Sequence, residues 1–387
     1  MIRNISIGID VGTKTTRVVV GEYEKNKKNP KIIGIGESET SGLRHGYVVD
    51  TPQAVASVKS AVAMAEKTSG VKIRRAFVSL GGASLRGDFS SGSIIISKAD
   101  SEVTNLDISK SIDSAEDNLH LTNRKVIHTF PISFKLDGKE VLGRLEGMRG
   151  NKLEVRALFV TYSIPHLEDL MEVINKAGVE IIDVNASPLA GSYLALSTKQ
   201  KIAGGALVDI GSETVSLSVF ENGSLVSLQT FTIGGEDITK DIALGLKTSL
   251  EKAEEFKLGN TSGEYPKKKL DEIISARLSD IFELLENHLK KIKRSQLLPA
   301  GLVFIGGGAN IANLTELSKS SMKLPAKIGT TEIFGGIKTK LSDPAWFNVL
   351  GLLFLGKNNE NYDNSSIMGF FKDFKSTVKS SIKQLMP

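Results

Sequence analysis

Apolar and polar residues alternate from Ile5 through Ile7 and Ile9, break at Asp10-Val11-Gly12-Thr13, and resume as a β-rich run to Val20. A period of two on both sides of a tight break predicts a two-stranded hairpin. A Lys/Asn/Pro turn from Lys25 to Pro30 leads into a third strand, Lys31 to Glu37. The period then lengthens. Val55, Val58, Val62 and Ala65 share one helical face, Asp50 or Thr51 can cap it, and Pro52 suits its first turn. Arg75 to Leu80 reads as a further strand, Ser109 to Leu119 as a helix and Lys125 to Lys135 as a strand. Lys267 to Lys293 predicts a long amphipathic helix with Leu270, Ile273, Ile274, Leu278, Ile281 and Leu285 on its apolar side.

The opening pattern recurs 199 residues later. Ala206 to Val219 aligns with it without a gap, pairing Asp10 with Asp209, Gly12 with Gly211, Thr13 with Ser212 and Thr15 with Thr214. An Asn222-Gly223 turn, a strand from Ser224 to Thr232, and Gly234-Gly235-Glu236-Asp237 leading into a helix complete the second copy. The duplication implies two similar α/β lobes whose tight turns face each other across a cleft. In each turn an Asp at a strand end precedes a Gly and a hydroxyl residue. Glycine lets backbone N–H groups approach a phosphate closely, and the hydroxyls donate further hydrogen bonds. A carboxylate is too negative to touch phosphate, so Asp10 and Asp209 would hold Mg²⁺ through water. A third signal is the strand Leu302 to Ile305 running into Gly306-Gly307-Gly308-Ala309. With no side chains in the way, a flat adenine can lie against that backbone; a plain strand-to-helix turn is the alternative.

Composition removes several classes. The chain has 387 residues, 40% apolar and 24% charged, the balance of a soluble globular protein of two or three domains. The longest apolar run, Val349 to Leu355, is interrupted by Gly351 and is far below the roughly 18 residues of a membrane span. Met1 stands only a few residues before the first strand, so no secretory leader is expected. No Cys is present, so disulfides, thiolate metal sites and Cys nucleophiles are excluded. The five His (His45, His120, His128, His166 and His288) show no metal-ligand spacing. A formal charge of +5 is a weak argument for nucleic acid unless concentrated, and outside the C-terminus no basic stripe with aromatics occurs.

Three of those five net positive charges lie in residues 367–387, which carry Lys372, Lys375, Lys379 and Lys383 against Asp373. The stretch from Lys357 to Ser366 before them is polar and Asn-rich, the composition of a flexible linker. On a helix, Ile367, Phe371, Phe374, Val378, Ile382 and Leu385 fall on one side, flanked by Phe370 and Met386, with the lysines along one border. Such a helix can dock on its own domain. Its place after a linker and its two adjacent Phe favour an in-plane membrane helix, each Lys near anionic lipid contributing roughly 1 kcal/mol. The expected membrane contacts are Phe370, Phe371, Phe374, Lys375, Val378, Lys379, Ile382, Lys383 and Leu385.

Taken with the two turns, several further stretches resemble the actin / sugar-kinase / heat-shock chaperone superfamily, and within it the FtsA family of bacterial division proteins. They are Ile233 to Leu246, Ser249 to Lys257, Gly306 to Ala309, Asp343-Pro344-Ala345 and the terminal helix. The resemblance covers nearly the whole chain. It implies an α/β fold of duplicated actin-like (ribonuclease-H-like) lobes around a nucleotide cleft, with a small α+β subdomain inserted in the first lobe. The implied segments are 1–83 for the start of the first lobe, 84–162 for the insert and 163–204 for the return and crossover. The second lobe follows at 205–355 with a helical part near 240–300, then a linker at 356–366 and the membrane helix at 367–387. ATP and Mg²⁺ are the implied cofactors. The nucleotide set is Asp10, Gly12, Thr13, Lys14, Asp209, Gly211, Ser212, Thr214, Gly234, Gly235, Gly306, Gly307, Gly308 and Ala309, with Glu254 and Lys257 near ribose and adenine. The family polymerises head to tail like actin and ties FtsZ filaments, with other division proteins, to the cytoplasmic face of the membrane at the division site. Arg277 is the candidate contact for the FtsZ C-terminal tail, or else a solvated helix-face residue.

One departure bears on chemistry. The family pattern Asp-Ile-Gly-Gly-Gly-Thr-Thr-Asp becomes Asp209-Ile210-Gly211-Ser212-Glu213-Thr214-Val215-Ser216. If Ser212 or Glu213 had to adopt φ > 0, the side chain would cost roughly 1 kcal/mol or more. An ionised Glu213 would repel a γ-phosphate unless it reached the metal or turned outward. Nucleotide binding with at most weak hydrolysis is therefore expected, and Asp10, Asp209 and Glu213 are only weak catalytic candidates. The alternatives are a PilM-like pilus-assembly protein, which has no use for the Phe370–Leu385 arc, and a small-molecule kinase of the same superfamily.

Overall fold

The opening alternation forms β1 (Asn4–Val11) and β2 (Thr15–Tyr23), an antiparallel hairpin in which Asp10 stands opposite Arg17. The computed structural model describes residues 4–358 apart from 26, 28, 98–99, 260–265 and 332–337. β3 (Lys31–Glu39) continues the sheet, and a short hairpin of β4 (Leu43–Arg44) and β5 (Tyr47–Val48) leads to helix α1 (Thr51–Ser69). Asp50 caps α1, accepting the Gln53 N–H at 3.0 Å, and Pro52 sits in its first turn. β6 (Arg75–Leu80) follows.

The chain then leaves the lobe to build a separate antiparallel sheet. It comprises β7 (Arg86–Ile95), α2 (Asn105–Asp117), β8 (Arg124–Leu136), β9 (Lys139–Glu140) and β10 (Lys152–Ser163), with strand order β7-β10-β8-β9. α2 starts four residues before the expected Ser109 because Thr104 and Asp107 form a reciprocal capping box. Ile108 and Ile112 of α2 pack with Val155 and Phe159 of β10 in a core of their own. α3 (Ile164–Lys176), β11 (Glu180–Ala186), α4 (Ser187–Ala195) and α5 (Thr198–Ala203) return the chain to the first lobe and cross to the second.

The second lobe contains β12 (Gly205–Ile210), β13 (Val215–Glu221), β14 (Ser224–Phe231), α6 (Gly235–Leu246), α7 (Leu250–Lys257) and α8 (Lys267–Lys291). β15 (Leu302–Ile305), α9 (Leu314–Met322) and β16 (Ala326–Ile328) complete it, after which α10 (Lys338–Leu341) leads to α11 (Phe347–Leu352), which packs on α4 and on β1, β2 and β6 of the first lobe. The two lobe sheets, β11-β6-β1-β2-β3 and β14-β13-β12-β15-β16, have the same topology: two antiparallel pairings followed by two parallel ones. The inner strands β6, β12 and β15 are buried along nearly their whole length, whereas the outer strands β3 and β14 alternate buried and partly exposed positions. In β12 and β15, Val208, Ile210, Leu302 and Phe304 point to the core under α8. Leu207, Val303 and Ile305 alternate with them to join the core shared with the first lobe.

The last described turn, Leu353–Asn358, comes back onto the first lobe, where Ser6 Oγ and Tyr23 OH donate to the Leu353 carbonyl at 3.2 and 2.8 Å. The expected membrane contacts, Phe370 to Leu385, lie outside the described residues. Among the described residues no helix is long and apolar enough to cross a membrane.

Candidate functional site

The β1–β2 and β12–β13 turns are built alike. Gly12 N–H donates to the Thr15 carbonyl at 3.2 Å and Gly211 N–H to the Thr214 carbonyl at 2.8 Å. Between the turns lies a cavity of about 340 Å³, within the range of small-ligand sites. Asp10, Gly12, Thr13 and Lys14 line it from the first lobe, and Asp209, Gly211, Ser212 and Thr214 from the second. Gly235, Glu254, Lys257, Gly306, Gly307 and Gly308 complete the expected set that reaches it. Two expected residues stand behind the lining: Gly234 precedes α6 with its N–H held by Asp237, and Ala309 is fully buried. Gly306 has φ +84°, and a Cβ there would collide with Asp209 Oδ1 and the Ile210 carbonyl, so only glycine lets this turn close on the carboxylate.

Both carboxylates on the cavity floor are desolvated. Burial pushes the pKa of Asp10 up, against a hydrogen bond from Ser79 and the charge of Arg17. Burial pushes Asp209 up to about 6, against a 2.7 Å bond from Asn348 Nδ2 and aided by the nearby Asp10. Arg17 is the floor's cation: it lines the cavity, pairs with Glu37 at 3.1 Å and lies 5.5 Å above the Trp346 ring. Arg17, Ser79 and Asn348 were not singled out from the sequence. Arg17 was within reach, because a hairpin with its turn at Gly12 puts it opposite Asp10. Ser79 and Asn348 come from β6 and α11 with no local signal.

Two contacts cross the cleft in opposite directions. Lys14 of the first turn reaches Glu254 of α7 at 2.7 Å. Lys257 joins the same carboxylate at 2.6 Å and donates to Thr239 Oγ1 and the Gly235 carbonyl at 2.7 and 2.9 Å. Burial opposes the charge of Glu254, but the bonds from Lys14, Lys257 and Thr239 outweigh it and take its pKa down to about 2. Glu213 of the second turn reaches the other way, its carboxylate accepting the backbone N–H of His45 while His45 Nδ1 lies 3.3 Å from the Glu213 carbonyl. Glu213 is thus turned outward and does not line the cavity. Neither Ser212 nor Glu213 has a positive φ, so the backbone penalty considered for these positions does not arise.

Arg277 lies away from the cleft, on α8. It holds Asp241 of α6 through two bonds of 2.6 and 3.0 Å and Asp280 at 3.2 Å. Among the described residues no group of three or more His, Asp or Glu is placed to hold a metal ion directly. A cavity with backbone N–H turns on two sides, glycines on a third and two carboxylates beneath has the chemistry to accept a polyanion carrying a hydrated cation.

Known proteins share this architecture. The family profile described as "Cell division protein FtsA" matches residues 206–351, and that described as "SHS2 domain inserted in FTSA" matches residues 82–161. The cell division protein FtsA of Bacillus subtilis (strain 168) is 30% identical over 369 residues, covering 90% of this chain and 82% of its own length. That of Pseudomonas aeruginosa is 28% identical over 377 residues, covering 92% and 90%. Among solved structures, a PilM–PilN type IV pilus biogenesis complex has a TM-score of 0.68 at 18% identity, covering 91% of this chain and 98% of that one. MreB5 of Spiroplasma citri bound to ADP has a TM-score of 0.53 at 15% identity, covering 92% and 98%. These structures share the fold, two actin-like lobes with, in this chain, the SHS2 insert. The chain belongs to the FtsA family of cell division proteins.

Proposed function

We propose that this chain binds ATP with Mg²⁺ between its lobes, assembles head to tail into an actin-like filament, and anchors FtsZ filaments to the cytoplasmic face of the membrane at the division site through residues 367–387. The observation that carries the reading is the pair of matched Asp-x-Gly-hydroxyl turns closing on one cavity, in a chain of the FtsA family. MreB5, of the same fold, is bound to ADP in one structure and to AMPPNP in another, which supports a nucleotide here. The nucleotide set and segment boundaries read from the sequence belong to the proposal, as does Arg277 as part of the face that takes the FtsZ tail. Anionic lipid is the ligand of the Phe370–Leu385 arc.

The donor set fits Mg²⁺. Asp10 and Asp209 are acceptors lining the cavity, and Asn348 Nδ2 holds Asp209 in place. Mg²⁺ keeps several waters and takes one or two carboxylates plus phosphates, so a floor of acceptors under an anion site suits it. When bound it neutralises phosphate charge. The backbone N–H groups of the two turns orient the phosphates, and Asp10 and Asp209 accept hydrogen bonds from water on the cation. Glu213, held by His45, is assigned no role in activating water.

ATP with Mg²⁺ is expected to raise the melting temperature, and Asp209→Ala to remove the shift; no shift in the wild type overturns nucleotide binding. The full chain is expected to sediment with anionic liposomes and a chain ending at Ser366 to stay in solution. Equal sedimentation overturns the membrane assignment.

A further inference from the structure

The two contacts that join the lobes across the cleft would answer a ligand differently. Lys14 and Glu254 both line the cavity, and Lys14 is half exposed, so an incoming phosphate can draw its ammonium group away from Glu254. Glu213 does not line the cavity, and its carboxylate is largely shielded where it accepts the His45 N–H. A ligand between the turns leaves that bond in place.

The bond is held rigidly at both ends. On the second lobe, Glu213 belongs to a turn fixed to the start of α6. Glu236 N–H donates to the Ser212 carbonyl at 2.7 Å and Gly235 N–H to the Gly211 carbonyl at 2.9 Å. A Cβ on Gly234 would collide with the Ser212 carbonyl, so the turn and the helix meet at backbone distance. On the first lobe, the His45 carbonyl accepts the Ala83 N–H at 3.0 Å. The next residue, Gly46, touches Gly82 backbone to backbone, and a Cβ on Gly46 would stand 2.5 Å from the Gly82 Cα. Both glycines have positive φ and both line the cavity. The loop that Glu213 grips is therefore part of the cavity wall and is fastened to the segment between β6 and β7. Neither anchor can follow the opposite lobe, so the two turns separate only when the carboxylate lets go of His45. A ligand gripped by both turns enters and leaves by that separation.

We propose that Glu213 is a positioning residue that clasps the cavity shut: it sets how fast nucleotide enters and leaves without setting how tightly it binds. This rests on the reading that the cavity holds ATP with Mg²⁺. The clasp is made with the cavity empty and is out of the ligand's reach when the cavity is full. A contact present equally in both states slows entry and release by the same factor and leaves their ratio unchanged. Glycine, the residue of the family pattern at this position, could make no such bond.

The test follows a fluorescent methylanthraniloyl derivative of ATP, with Mg²⁺, on the full-length chain by stopped flow. Entry is read from the concentration dependence and release from a chase with unlabelled ATP. Glu213→Ala removes one charge-assisted hydrogen bond and is expected to raise both rate constants about tenfold. The Kd for unlabelled ATP, measured by calorimetry, is expected to stay within about threefold. Should Glu213→Ala not fold, Glu213→Gly carries the same test, because it removes the side chain and makes no demand on the backbone. Unchanged rate constants overturn the proposal. So does a Kd that moves in step with release while entry stays constant, which marks Glu213 as acting on the bound nucleotide itself. If the wild type binds no ATP, the nucleotide reading fails and this inference with it.

Discussion

The two turns of the cleft share a backbone and differ in what their side chains lean on. Lys14 and Glu213 occupy equivalent positions 199 residues apart. They carry opposite charges, and each reaches the other lobe. The carboxylate of the first turn is held from within its own sheet: Asp10 accepts from Ser79 of β6. The second depends on the far end of the chain, because Asp209 is held by Asn348 of α11. The turn that follows α11 is in turn held by Ser6 and Tyr23 of the first lobe. The two halves share the scaffold, and their side chains differ so that the second turn leans on packing from distant parts of the chain. Divergence of this kind is inexpensive, since loop side chains can change while the hairpin's hydrogen bonds persist.

The comparison is tested most severely at the α4–α11 contact. Gly351→Val drives a side chain into the Ala190 carbonyl and is expected to cost about 1–3 kcal/mol, read as a lower urea midpoint. Its effect should fall on the second turn. Faster amide exchange at 209–214 than at 10–15 is expected, and equal exchange would end the distinction.

A pH titration comes next. Asp209 has a folded pKa of about 6, above the ordinary carboxylate value, so the folded state binds its proton more tightly than the unfolded chain does. The ligand-free protein should therefore lose stability as pH rises from about 4 to 6, by about 1–3 kcal/mol, and Asp209→Asn should flatten that slope. Glu254 acts with the opposite sign: its pKa lies near 2, so its contribution is full above about 4.5 and is lost as pH falls towards 2. Denaturation curves for wild type and Asp209→Asn across that range separate the two.

The two cross-cleft contacts should be unequal, and the smallest effect of all belongs to Lys14. The Glu213 carboxylate is largely shielded and accepts a backbone N–H, so Glu213→Ala is expected to cost about 1.5–3 kcal/mol and to speed exchange around His45. The Lys14 side chain is 47% exposed, so Lys14→Ala should cost about 0.2–1 kcal/mol and fade in high salt. Equal costs would mean that the two contacts are not distinguished by burial.

Much of this was legible beforehand. The hairpins, the Asp50-capped helix and the strand Arg75–Leu80 came through because their signals are local, a change of period or a cap beside a Pro. The repeated Asp-x-Gly-hydroxyl turns pointed to one cavity because duplication makes the same local geometry twice. What escaped notice arrives through long-range packing. Asn348 is 139 residues from Asp209, and nothing around it in the chain marks it as polar for a purpose. Glu213 read as an obstacle to phosphate, because its outward course depends on a His45 N–H that only the folded cleft brings near.

The amino-acid sequence by itself determined two copies of a sheet, the character of the turns between their first strands, and the residue types a polyanion with a hydrated cation would require. Only the tertiary structure decided which side chains complete the site. Strand and helix periods arise between neighbours, whereas the meeting of α11 with Asp209 and of Glu213 with His45 follows from glycine-lined helix packing and closure of two lobes, and such contacts leave no periodic trace.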